Sequence, residues 1–191
     1  MTVSMTSSGG LVVGGEAPTV LISPPELLFG ALVEKGEKTE EGHIILAVTP
    51  AHRLFLDELA RDPNAFYLLK SWQLEELVAG QYEREGCRVV LTKRTRDGGR
   101  DVIATRDDFG TIRIIDSVKL YKPHHVVGIG EVRDLWAVLN HNERGASKGI
   151  ITTTSRFASG FEEDFADVIP GRLTLRNGVG LLEWLSTDRS K

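Results

Sequence analysis

The chain has 191 residues, with 23 Lys+Arg against 27 Asp+Glu for a formal charge of −4, and its 41% hydrophobic and 26% charged residues match an ordinary globular composition. That balance excludes a disordered chain, and the apolar runs, such as residues 44–48, fall far short of the roughly 18 residues that a membrane span needs. A lone cysteine, Cys87, excludes an intramolecular disulfide and a multi-cysteine zinc site.

Residues 1–15 are rich in Ser, Gly and Thr and carry no Lys or Arg, so no secretory signal is read there and a reducing, cytoplasmic setting is expected. The first 25 residues, with Gly9-Gly10, Gly14-Gly15, Pro18 and Pro24-Pro25, read as a loose tail. Glu26 to Val33 is helix-like, a charged stretch follows, and Ile44 to Val48 is a short apolar run of open assignment. Residues 1–50 are therefore expected to be a flexible tail and small extension, and residues 51–191 the main domain.

Pro50 opens a helix over 51–60 that ends before Pro63. Ser71 is an N-cap candidate, and Leu74, Leu77 and Val78 place an apolar stripe on a helix over 72–85 that Gly86 stops. The period then shortens to that of strands at 88–92, 101–104 and 111–119, separated by Asp97-Gly98-Gly99 and Asp107-Asp108-Phe109-Gly110, which reads as an antiparallel meander. Val132, Leu135, Trp136 and Leu139 restore helical spacing, and 149–154 follows as a buried strand. A helix over 159–167, a strand near 172–175 and a helix over 179–185 complete an α/β pattern. Its third and fourth strands, joined through a helix, are expected to be parallel.

Charge is distributed unevenly. Residues 1–87 carry 6 basic and 13 acidic side chains, whereas 88–122 carry 9 and 5, a local net of +4 of the kind a polyanion answers to. In that basic stretch Asp101 opens one strand and Lys119 ends the next, so antiparallel pairing brings them together across 18 residues. A carboxylate beside an ammonium suits phosphodiester chemistry on a hard divalent cation held by oxygen. Asp101 would supply one ligand, Glu75 on the preceding helix a second, and the Val118 carbonyl a third. Lys119 would activate water or offset charge on phosphorus. Gly98 and Gly99 leave room for a phosphate backbone.

A series of motifs then resembles a known family: Leu74-Glu75-Glu76-Leu77-Val78-Ala79, Gly86-Cys87-Arg88-Val89, Asp97-Gly98-Gly99-Arg100-Asp101-Val102-Ile103-Ala104, Val118-Lys119-Leu120-Tyr121, Val126-Val127-Gly128 with Val132-Arg133-Asp134-Leu135, and Lys148-Gly149-Ile150-Ile151-Thr152-Thr153-Thr154-Ser155-Arg156-Phe157. Their order is similar to that of the Mrr-type restriction endonuclease catalytic domain, of the PD-(D/E)XK nuclease superfamily, from about residue 59 to residue 185. The resemblance implies a restriction-endonuclease-like core, a mixed sheet in which an antiparallel meander continues into parallel strands between helices. It also implies a metal-dependent DNA endonuclease acting in restriction or defence on double-stranded DNA, with Mg²⁺ or Mn²⁺ as cofactor and a homodimer as one arrangement. One position departs from the pattern. Two residues before the lysine the family has Glu or Gln, and this chain has Ser117, a weaker neutral ligand.

Each residue also has a plainer role. Asp101 closes a turn, Lys119 is a strand-end charge, and Glu75 answers the helix dipole. Lys93, Arg94, Arg96, Arg100 and Lys122 flank the site as non-specific phosphate contacts or as ordinary solvated charges. His124-His125 lacks a third ligand at metal spacing, so no zinc is assigned. Cys87 and Trp72, Trp136 and Trp184 read as packing residues, and the Thr152-Thr153-Thr154-Ser155 run as β-propensity. Two rival readings accompany the nuclease: a catalytically impaired DNA-binding module of the same fold, favoured by Ser117, and a protein-interaction subunit using its acidic first half.

Overall fold

A computed structural model of the chain describes residues 2–5, 11–15, 17–22, 30–92, 100–108, 110–140, 145–161 and 171–187. Near the N-terminus β1 (Thr2–Met5), β2 (Leu11–Gly15) and β3 (Ala17–Ile22) pair antiparallel in that order. The loose tail expected there is thus strand where it is described. The first half of the helix-like run at 26–33 lies outside the described residues. Residues 30–32 are not helical, and Val33 opens a strand instead.

Continuous buried runs in the central strands, covered on both faces, build the main sheet. Its order is β12-β10-β8-β7-β6-β5-β4, from β4 (Val33–Lys38), β5 (Gly42–Val48), β6 (Arg88–Thr92), β7 (Val102–Asp107), β8 (Thr111–Lys119), β10 (Lys148–Thr153) and β12 (Leu173–Arg176). Neighbours from β4 to β8 are antiparallel, whereas β10 runs parallel to β8 and β12 parallel to β10. A small parallel pair, β9 (Val126–Val127) with β11 (Arg156–Phe157), lies beside the ends of β8 and β10 in the chain. The sheet is the mixed α/β arrangement expected.

Helices cover both faces. On one, α1 (Pro50–Arg61), α2 (Ser71–Arg84) and α4 (Gly178–Ser186) share a core with the sheet, in which Leu74, Leu77 and Val78 meet Val89, Leu91, Val102, Ala104 and Val118. On the other, α3 (Ile129–Asn140) sets Val132, Leu135 and Leu139 with Ile115, Ile151 and Leu173. Between α1 and α2 a 3-10 helix (Pro63–Leu68) begins at Asp62, whose side chain accepts the Asn64 N–H at 2.9 Å. Ser71 is the first helical residue of α2 rather than its cap. Lys70 holds that place, and its N–H is taken by the Gln73 side chain at 3.0 Å. At the far end Gly86, with φ of 84°, adopts the left-handed turn that lets Cys87 N–H reach the Tyr82 carbonyl at 3.0 Å. The helix expected over 159–167 falls mostly outside the described residues.

The boundary expected at residue 50 runs through this sheet. The hairpin β4–β5 is paired to β6, and Leu32, Val33 and Ile45 are buried in the core beneath α2. Glu76 of α2, 1% exposed, accepts the Leu32 N–H at 2.8 Å and pairs with the Lys35 ammonium at 2.6 Å. A buried carboxylate needs such partners, and the segment from Leu32 to Lys35 supplies these. Residues 32–48 therefore belong to the structural unit of the later strands.

Candidate active site

The site is built where β7 leaves β8. Their last ladder pair is Val102 with Asp116, and Asp101, one residue earlier, still donates its N–H to the Asp116 carbonyl at 3.1 Å. Beyond that point Val118 has no backbone partner on β7. The Asp101 side chain takes over, its Oδ2 accepting the Val118 N–H at 2.7 Å. On the other side the Asp101 carbonyl accepts the Thr92 N–H at 3.1 Å, which ties the residue to β6 as well. A carboxylate thus replaces one rung of the sheet and is held there by main chain.

Strand alternation sends Ser117 and Lys119 to the same face. The Lys119 ammonium lies 3.7 Å from Asp101 Oδ2, with the two side chains 27% and 16% exposed, and Ser117 Oγ lies 3.5 Å from the same oxygen. The geometry thus brings together Asp101, Lys119, Ser117 and the Val118 backbone, at a place that remains open to solvent. Glu75 is half-buried on α2, a helix that packs against β7 and β8. Arg100 is half-buried beside Asp101, its carbonyl bonded by the Thr92 hydroxyl, and Lys122 is exposed three residues past Lys119. Lys93, Arg94 and Arg96, like Gly98 and Gly99, lie outside the described residues.

Asp116, between these residues in sequence, faces the other way and is fully buried. Its Oδ2 accepts from the Tyr82 hydroxyl at 2.9 Å and the Thr152 hydroxyl at 2.9 Å, with Arg176 at 3.4 Å. The Arg176 guanidinium stacks 3.7 Å from the Trp184 ring centroid. Burial raises the Asp116 carboxyl to about 6, Arg176 opposing the rise. The same burial, with Asp116 beside it, raises the Tyr82 phenol well above its usual range. Reading the sequence did not single out Arg176. Its only signal is an aspartate inside the apolar run Ile114-Ile115-Asp116, which requires a buried partner from elsewhere in the chain.

Of the oxygen donors expected from the sequence, the Asp101 carboxylate stands at the opening against the Val118 backbone, and Glu75 is half-buried on the neighbouring helix. Among the described residues no three His, Cys, Asp or Glu side chains gather into a metal cage. This set fits a hard divalent cation of the Mg²⁺ kind, which needs one or two carboxylates and takes its other ligands from water and substrate phosphate. It does not fit zinc, and Ser117 adds no charge to it.

Comparison with known proteins matches residues 69–185 to the restriction endonuclease model of the Mrr-type catalytic domain. No curated protein matches the chain. Among solved structures, the chain is similar to the DNA modification-dependent restriction endonuclease AspBHI, at 21% identity and a TM-score of 0.46, over 73% of this chain and 36% of that one. It is similar also to the MspJI restriction endonuclease in complex with a 27-mer oligonucleotide, at 20% identity and 0.42, over 70% and 30%. A third likeness is to the protein of unknown function AF1548, at 22% identity and 0.45, over 59% and 65%. The chain spans about a third of the length of the two restriction enzymes. Among the described residues no helix is long and apolar enough to cross a membrane. Because the match to the family model runs through more than half of its length, the chain belongs to the family of Mrr-type restriction endonuclease catalytic domains.

Proposed function

We propose that this chain is a metal-dependent endonuclease that hydrolyses phosphodiester bonds of double-stranded DNA in restriction, using Mg²⁺, for which Mn²⁺ substitutes. The observation that carries the reading is the 3.7 Å approach of Lys119 to Asp101 at an open strand end. Restriction endonucleases of this family generally use divalent metal ions. Asp101, the Val118 carbonyl and Glu75 are the residues that would hold the ion, which when bound polarises the phosphate and eases departure of the leaving oxygen.

The other steps belong to the chain's own side chains. Lys119 places a positive charge where the scissile phosphate gains negative charge, and it donates to the attacking water or a phosphate oxygen. Asp101, fixed through Val118 N–H, cannot swing away from the lysine without leaving that donor unpaired. Arg100 and Lys122, with Lys93, Arg94 and Arg96, would meet the DNA backbone and make binding fall steeply with salt. Cutting both strands would call for two copies of the site, which a homodimer supplies.

The test is a low-salt cleavage assay on methylated and unmethylated plasmid in Mg²⁺, Mn²⁺ or EDTA, beside Asp101→Ala and Lys119→Ala. Metal-dependent cleavage that falls on the order of a hundredfold or more in each variant is expected, with circular dichroism showing both still folded. Wild-type turnover in either folded variant would refute the assignment. Ser117 favours one second reading, a DNA-binding module impaired in catalysis. Salt-sensitive binding without cleavage in any metal would establish it.

A further inference from the structure

The parallel ladder between β8 and β10 ends at the pair Lys119 and Thr153. Thr154, one residue on, continues it by other means. Its N–H donates to the Lys119 carbonyl at 3.2 Å. Its hydroxyl accepts the Tyr121 N–H at 3.0 Å and donates to the Tyr121 carbonyl at 2.8 Å. Its carbonyl accepts the Tyr67 hydroxyl at 3.3 Å. Every polar group of this residue is engaged, and the residue is 5% exposed. One hydroxyl serves both groups of Tyr121 because it carries a donor hydrogen and two acceptor lone pairs.

The consequence falls on Lys119. Leu120 lies between two residues that Thr154 pins, so the backbone from which the lysine side chain departs cannot turn without breaking one of these bonds. The chain beyond is tied to the same segment. The Ser155 hydroxyl donates to the His125 carbonyl, and Val126 pairs with Arg156. The Tyr121 hydroxyl donates to Glu131, whose other oxygen accepts the Gly128 N–H at 3.1 Å.

We infer that Thr154 is a positioning residue: its hydroxyl fixes the end of β8 so that the Lys119 ammonium stays beside Asp101. The effect on turnover rests on the nuclease reading proposed above, whereas the effect on the lysine does not. β-Propensity alone would be met equally well by valine, which has nearly the same shape and lacks the hydroxyl. Thr154→Val therefore isolates that hydroxyl, and Thr154→Ser restores it without the methyl group.

The experiment compares wild type, Thr154→Val and Thr154→Ser by two readouts. Lys119 labelling by trinitrobenzenesulfonate is followed by peptide mass spectrometry, and plasmid cleavage is resolved into kcat and KM. The valine variant is expected to label Lys119 several-fold faster. Its kcat should fall on the order of ten- to a hundredfold with KM unchanged, as for a displaced catalytic group. The serine variant should match wild type in both. Wild-type labelling in a folded Thr154→Val protein would overturn the inference, as would a serine variant as impaired as the valine one. If the valine variant does not fold, Thr154→Ala deletes the same hydroxyl and takes its place. If wild type cleaves nothing, the nuclease reading fails, and the labelling rates still decide whether Thr154 holds the lysine.

Discussion

Ser117 occupies a nearly closed space, 4% exposed, with Asp101 on one side and the lysine two residues on. A carboxylate there would add a further negative charge directly beside Asp101, and Lys119 would offset much of the cost of burying it. Ser117→Glu is therefore expected to tighten Mg²⁺ binding on the order of tenfold, the size of effect that groups around a metal site commonly have. Isothermal calorimetry measures it directly, and an unchanged titration would show that this position does not face the cation. Asp101 and Lys119 were legible in the sequence because a short hairpin register folds the start of one strand beside the end of the next. Arg176 was not. It meets Asp116 across 60 residues, and only the placing of β12 beside β10 brings it there.

Helix α2 links the site to the rest of the fold, and its inner face has little slack. A Cβ on Gly80 would come within 2.6 Å of His52 Nε2 and 2.9 Å of Val48 Cγ1. The imidazole cannot retreat, because it is buried on α1 and holds the Leu77 carbonyl at 3.2 Å. Gly80→Ala should thus cost roughly 1–3 kcal/mol by overpacking, outweighing alanine's advantage in helix propensity of about 1 kcal/mol. Urea unfolding tests this, and a stabilised variant would show that α1 shifts freely against α2. The elements with unbroken periodicity, α1, α2 and β6 to β8, were legible without a structure. Hairpin β4–β5 was hidden for a physical reason. Its outer strand carries Glu34, Lys35, Glu37 and Lys38, and register shifts after Glu34 and Lys35 break the two-residue alternation that marks a strand.

On the scale of the whole molecule, two buried groups tilt stability in opposite directions with pH. His52, pressed by burial and by Arg84 and Arg53, falls from 6.5 to about 4 despite its bond to Leu77. Between those values the unfolded chain binds the proton first, so acidification costs the fold roughly 3 kcal/mol at this residue. Asp116 rises from 3.8 to about 6 through burial and nearby Asp101, against Arg176, Thr152 and Tyr82. There the folded chain binds the proton first, and acidification returns roughly the same amount. The two contributions nearly cancel between pH 4 and 6. Single substitutions should expose each one: as pH falls through that range, His52→Gln gains stability and Asp116→Asn loses it. Urea unfolding at half-unit steps reads both, and equal slopes in the two variants would refute the account. The hairpin's outer strand has a consequence of another kind. Bulged, charged and with Lys35 already bound to Glu76, β4 offers an incoming strand no regular row of partners. Among the described residues sheet pairing ends at that edge, so a second copy of the chain joining this one would have to meet it through surfaces other than β4.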